Sequence, residues 1–291
     1  MQFNIPEDRF RTHAKQICAL VFDLDDTLLD SQKRIPERAL AAIRTLQERG
    51  FFISICTARN CSASQYYADL IGIRGVYSAG NGCQVVDGQT GDVLEARSMC
   101  DRDAVLLARF CLAHRASFSL SVGKDGYFGG RADPNNIHAR PDIYHKRLLA
   151  PGHSMERLTD ANVLYGKPVY KIAVHDEGIF DLLSHYIRKN TPDVQCLTTS
   201  KDIINIFPAG CDKGTGVLQI AKQMDIPPER ICVFGDFLND VPMFEAAGLS
   251  IAMGNAVEAV RQKASAVTRA ADEGGIAEAL EAVFLAGQEG R

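Results

Sequence analysis

The chain has 291 residues, 46% hydrophobic and 23% charged, which suits one large soluble globular unit or two modest ones. A net charge of −4, with no block of lysine and arginine, argues against general attraction to nucleic acid or anionic membrane. Nine cysteines, an odd number without a CxxC pair, argue against a disulfide framework or a zinc ribbon, and reduced thiols are expected. The N-terminal MQFNIPEDRFRTHAKQ lacks the apolar core of a signal peptide, and no apolar run has transmembrane length. A cytoplasmic location is therefore expected.

ICALVF, from Ile17, reads as a buried strand. IPERALAAIRTLQERG has helical spacing and ends at Gly50, a C-cap residue. FFISICTAR is a second strand, SASQYYADLIGI a helix and GVYSAG a third strand. This alternation predicts right-handed crossovers and a parallel sheet. At GNG, Gly80–Gly82, the rhythm changes, and CQVVDGQTGDVLEA reads as two antiparallel strands around a turn. Beyond it come a helix at DAVLLARFCLAHR, strands at FSLSV and YKIAV, and a helix at GIFDLLSHYIRKN. A loop rich in glycine, proline and histidine is expected over 123–153. The first rhythm returns with a helix from CDKGTG, strands at ICVFGD and LSIAMGN, and a final helix at GIAEALEAVFLAG. The pattern predicts an α/β fold: a doubly wound, Rossmann-like parallel sheet built from 1–83 and 203–291, with an α+β unit inserted at 84–202.

Ligands of open parallel sheets gather at the carboxyl ends of the strands. Three polar clusters fall at such ends: DLDDT, TAR and GDFLND. Asp23, Asp25, Asp26 and Asp30 crowd ten positions, and a bound cation is the simplest offset to their repulsion. A calcium loop counted from Asp23 fails, because position six is Leu28 and position twelve is Arg34. Asp23 and Asp25 suit a nucleophile and a proton shuttle if their environments differ, although a lone DxD also suits a solvated turn. Asp236, Asn239 and Asp240 suit a cation site or the N-cap of the following helix. Thr57 can help hold an anion at a strand end. Lys213 opens a helix, where the helix dipole disfavours a cation; a lysine aimed at a phosphate would explain it, although on its own an ordinary solvated lysine is the simpler reading. It is not a Walker A lysine, because Asp212 rather than glycine precedes it.

In this order DLDDT, TAR, Lys213 and GDFLND resemble the motifs of the haloacid dehalogenase-like superfamily, and SAGNG and AMGNA resemble its Cof-type (IIB) phosphatases. The resemblance covers the whole core. It departs from the usual pattern at Asp26, where many relatives carry glycine, and at Ala58, where glycine is frequent. The resemblance implies a Mg²⁺-dependent phosphatase of small phosphate esters. Asp23 would be the nucleophile and Asp25 the general acid and base. Asp23, Asp236 and the backbone carbonyl of Asp25 would ligate Mg²⁺. Thr57, Lys213 and Asn239 would bind the phosphoryl group, and Asp240 would orient Lys213 or a metal-bound water. The insert would form a substrate cap, with Arg131, Asn135, His138, Arg140 and Lys167 as candidate contacts. Asp30 is expected on the solvated surface. Neither a nucleic-acid nor a membrane partner is expected. The alternatives are a receiver-like phospho-aspartate module, which is much shorter and has no insert before its lysine, and a phosphomutase of the same superfamily.

Overall fold

The computed structural model describes residues 1–123, 125–130, 155–200 and 203–286. The chain begins with a short strand β1 (Gln2–Phe3) and helix α1 (Glu7–Ala14), followed by β2 (Ala19–Phe22), α2 (Glu37–Glu48), β3 (Phe52–Ile55), α3 (Cys61–Ile71) and β4 (Val76–Ala79). After the insert come α6 (Lys213–Met224), β13 (Ile231–Gly235), α7 (Val241–Ala246), β14 (Leu249–Ala252), β15 (Ala266–Val267) and α8 (Gly275–Leu280). Among the described residues the main sheet runs β1-β15-β14-β13-β2-β3, parallel throughout except for β1 at its edge.

The all-apolar strands follow from helices covering both faces of this sheet. Leu20 and Phe22 of β2 pack with Phe234 on the side of α2, α3 and α8, and the Phe22 and Phe234 rings stack at 4.8 Å. Ala19 and Val21 face the other way, toward Val217 and Ile220 of α6 and Met243 of α7. β2 is central, in register with β13 through Phe22–Phe234 and with β3 through Phe22–Ile55. Those registers bring the residues that follow each strand, Asp23, Cys56–Thr57 and Asp236, to one end of the sheet.

The insert contributes α4 (Asp101–Ala113), β7 (Phe118–Val122), β8 (Asp125–Gly129), β9 (Met155–Arg157), β10 (Val169–Val174), α5 (Phe180–Asn190), β11 (Val194–Ser200) and β12 (Ile203–Pro208). Its sheet runs β11-β12-β10-β7-β8-β9, antiparallel except for the β8–β9 pair. Alternation on β7 turns Phe118, Leu120 and Val122 into a cluster with Leu107 of α4 and Leu183 of α5, and sends Ser119 and Ser121 to the opposite face.

Both expected insert boundaries move. The hairpin β5 (Gln84–Asp87) and β6 (Val93–Ala96) pairs with β4, and Val85 and Val86 pack in the clusters of the main sheet. At the other end β12, expected in the core, pairs with β10 and β11. Hydrophobic alternation identified these strands but not their partners. The expected loop at 123–153 holds β8 at its start, because Gly126 and Gly129 sit within a pleat against β7. β4 touches the parallel sheet through one bridge, Cys56–Ser78, rather than as a full third strand.

Candidate active site

Asp23 directly follows β2, and its amide is tied to Phe234 O at 2.9 Å. The chain then turns sharply, with Asp26 in the left-handed region at φ 59°. That conformation is what glycine supplies most easily and aspartate tolerates, so the departure from DxDGT leaves the turn intact. Asn255 Nδ2 donates to Asp26 O at 2.8 Å, fixing the turn from the segment after β14.

Lys213 is 1% exposed although it is a lysine in the first turn of a helix. Its Nζ donates to Asp23 Oδ1 at 2.6 Å and to Asp240 Oδ1. Asp212 caps α6 by accepting from Thr215 N at 2.7 Å. The helix can approach this closely because residue 216 is glycine: a Cβ there would lie 2.5 Å from Ser78 Oγ and 2.9 Å from Cys56 Sγ. Burial works against the charge of Lys213, but Asp23 and Asp240 prevail and hold the ammonium well above its ordinary pKa.

Carboxylate oxygens of Asp23, Asp236 and Asp240 all lie within 4.8 Å of one another. Burial drives the Asp236 carboxyl up to about 7, Asp240 adds to the rise, and Lys213 and the Thr27 hydroxyl, at 3.0 Å from Oδ1, oppose it. Burial also pushes Asp23 well above the usual range, against the pull of Lys213. Asp240 is already committed: Oδ1 takes Lys213, and Oδ2 takes the Asp236 and Phe237 amides at 2.7 and 2.9 Å. That leaves Asp23 and Asp236 as two crowded carboxylates that a hard cation suits, and all-oxygen ligands with few carboxylates fit Mg²⁺.

Asp25 stands outside that cluster. Arg59 grips it with Nε to Oδ2 at 2.7 Å and an η nitrogen to Oδ1 at 2.6 Å, and Lys33 Nζ approaches Oδ1 at 2.9 Å. Burial raises its pKa, but these two cations overcome that and hold the carboxyl well below the usual range. Thr57 is buried beside the site. Its Oγ1 accepts from Arg59 N at 3.1 Å, which leaves the hydroxyl proton unused by that bond. Asn239 Nδ2 donates to Asn81 Oδ1 at 3.2 Å.

The structure therefore gathers Asp23, Asp236, Asp240 and Lys213 tightly, with Thr57 and Asn239 at their edge. Three participants carry no distinctive sequence signal, Lys33, Arg59 and Lys171, and a fourth, Asn81, lies in the SAGNG motif without an assigned role. Arg59 also lies over the Tyr67 ring at 5.0 Å. Lys171, on β10 of the insert, donates to Ala58 O at 2.7 Å, and burial lowers its pKa to about 8. The triplet TAR contained Arg59 in plain view, but only the fold shows that it reaches Asp25. Lys167 is an exposed partner of Tyr127, at 2.6 Å. Arg131, Asn135, His138 and Arg140 lie outside the described residues. Asp30, expected as solvated surface, instead closes a turn by accepting the Gln32 and Arg34 amides, both at 2.9 Å, and the Arg34 guanidinium.

A doubly wound sheet with these acids at its strand ends and this lysine at the start of α6 defines a haloacid dehalogenase-like hydrolase. Residues 20–280 match that family, and the chain belongs to it, on the Cof-type (IIB) branch. It is 26% identical over 275 residues to the stress response protein YhaX of Bacillus subtilis (strain 168), covering 93% of this chain and 94% of that one. It is also 26% identical over 273 residues to the 5-amino-6-(5-phospho-D-ribitylamino)uracil phosphatase YitU of the same organism, covering 91% and 97%. A haloacid dehalogenase-like hydrolase from Bacteroides thetaiotaomicron shares the fold with a TM-score of 0.80 at 21% identity, covering 92% of this chain and all of that one.

Proposed function

We propose that the protein is a Mg²⁺-dependent phosphatase that hydrolyses small phosphate esters, sugar phosphates or phosphorylated cofactors, through an aspartyl-phosphate on Asp23. Its class, a phosphoric monoester hydrolase, follows from the family and from relatives named as phosphatases. The observation that carries the mechanism is the buried trio Asp23–Lys213–Asp240 beside Asp236.

Asp23 attacks phosphorus, and the ester oxygen leaves with a proton. Lys213, Thr57 and Asn239 hold the nonbridging oxygens, where a buried cation and fixed donors stabilise charge that grows in the transition state. Asp240 keeps the Lys213 ammonium aimed at Asp23. Asp23, Asp236 and the Asp25 carbonyl would hold Mg²⁺, which would neutralise the approach of an anionic substrate to anionic Asp23. Asp25 serves the leaving group and then the attacking water. In the geometry described it is an ion-paired carboxylate whose two cations hold it too acidic to take up a proton readily. Both its acid and its base role require that Arg59 and Lys33 let go, so that the carboxyl can take and give a proton.

The insert acts as the substrate cap. The support is Lys171, which reaches from the polar side of the insert sheet to Ala58 next to Thr57. Such a cap excludes water and supplies contacts that differ between substrates. No described helix is long and apolar enough to cross a membrane. The receiver-like alternative is disfavoured by the insert before Lys213.

The test is phosphate release from a panel of metabolite esters with Mg²⁺ and with excess chelator. Turnover that needs Mg²⁺ is expected. Full turnover by metal-free protein refutes the metal assignment, and the absence of turnover on every ester refutes the phosphatase.

A further inference from the structure

The GNG turn has no part in the mechanism above, yet it is built into the site. Asn81 is 0% exposed and holds φ 59°, a conformation that glycine would adopt more easily. Three contacts position it. Its amide donates to Thr57 O at 2.8 Å, and the Gly80 amide donates to Arg59 O at 2.7 Å, so the turn is bound to the segment after β3. Gly82, at φ 88°, presses on the residue before Lys213: a Cβ there would lie 1.9 Å from Asp212 O. The Asn81 side chain then meets Asn239, accepting its Nδ2 proton at 3.2 Å. Asn81 thus touches or adjoins the segments that carry all three phosphate-binding groups.

Its own Nδ2 is buried without a hydrogen-bond partner. Folding alone gives no reason to keep a fully buried amide donor unsatisfied, in a backbone conformation that favours glycine. An oxyanion held by Thr57, Lys213 and Asn239 would supply the missing acceptor.

Building on the phosphatase reading, we infer that Asn81 is a positioning residue of the phosphate site, orienting the Asn239 carboxamide and keeping its own amide donor for the bound phosphoryl group. The acceptor at Asn81 fixes which way the buried Asn239 carboxamide faces. The GNG turn then performs a task that its hairpin-like sequence does not reveal.

Two variants test this. Asn81→Gly removes the carboxamide and keeps the backbone conformation. Asn81→Asp keeps an acceptor for Asn239 but replaces the donor with a negative charge. Asn81→Gly is expected to lose roughly ten- to hundredfold in kcat/KM on an aryl phosphate, the loss typical of a hydrogen bond to a charged group. Asn81→Asp is expected to lose more, and inhibition by vanadate should weaken in both. In an Asn239→Ala background, Asn81→Gly should cost clearly less than in wild type, because the part of its effect that runs through Asn239 is already gone. A merely structural Asn81 would lower the melting temperature but leave kcat/KM and vanadate inhibition within twofold of wild type, and that result overturns the inference. So do losses at Asn81 and Asn239 that simply multiply. If wild type turns over no ester, the phosphatase reading fails separately. Thermal stabilisation by inorganic phosphate, greater in wild type than in Asn81→Gly, then still decides for Asn81, and equal stabilisation decides against it.

Discussion

Replacing Lys213 with methionine keeps much of its volume and removes its charge. Lys213 is the cation beside Asp23 and Asp240, with Asp23 Oδ1 at 2.6 Å, and a third carboxylate, Asp236, lies in the same 4.8 Å cluster. Removing one partner of a buried ion pair costs about 3–5 kcal/mol, because the remaining charges stay buried and unpaired. Against a typical total of about 5–15 kcal/mol this is a large fraction. The sign of the pH dependence follows from the pKa directions. Lys213 is raised, so its stabilisation is complete below its unfolded pKa and is lost only as pH rises through the still higher folded value. Asp23 and Asp236 are raised by burial, and losing Lys213 raises them further. They can relieve the variant by taking up protons as pH falls. Urea denaturation followed by circular dichroism in chelator should therefore show a deficit of about 3–5 kcal/mol at pH 8 that shrinks toward pH 5. Mg²⁺ should recover part of it by binding the folded state. A deficit under about 1 kcal/mol, or one that does not change with pH, refutes the buried-trio account, since that size belongs to an exposed pair.

At the turn after the nucleophile, Asp26→Gly should keep the melting temperature and activity near wild type, whereas Asp26→Val, at φ 59°, should cost about 1–2 kcal/mol; thermal melts compare the two. Burial lowers Lys171 to about 8, so its unfolded form binds more protons between about 8 and its ordinary value. Its contribution to stability should rise with pH across that window, and Lys171→Met should lack that rise in denaturant titrations at pH 7.5–10. If Lys171→Met instead shows the same rise as wild type, the burial of Lys171 is misjudged. Replacing residues 98–208 with a short Gly/Ser linker should leave a folded core that turns over an activated ester weakly and ranks natural esters differently; an unchanged ranking would place specificity in the core.

Much of the site was legible because its residues follow strands whose hydrophobicity announces them. ALVF, FISI and ICVFG read as buried strands, and their ends carry Asp23, Thr57 and Asp236. Lys213 stood out because a lysine at a helix start runs against the dipole, and its two carboxylate partners resolve that anomaly. Strand pairing was not legible. Period-2 alternation identifies a strand but not its neighbour, so β5, β6 and β12 were each assigned to the wrong unit. Arg59, Lys33 and Lys171 resemble any surface cation in sequence, and only the three-dimensional turn brings them to Asp25 and Ala58. The N-terminal strand β1 was missed because two residues are too few to show a period; it is held by pairing with β15.

The central claim is that Asp23 carries the phosphoryl group. It is tested most directly by quenching the enzyme in acid during turnover of an aryl phosphate, whose good leaving group needs no acid, and locating the phosphate by peptide mass spectrometry, in wild type and in Asp25→Asn, whose phosphoenzyme should persist because the base that activates water is gone. An added phosphate mass on the peptide containing Asp23, enriched in Asp25→Asn and absent in Asp23→Asn, is the predicted result. Phosphate on another residue, or turnover undiminished in Asp23→Asn, would contradict it.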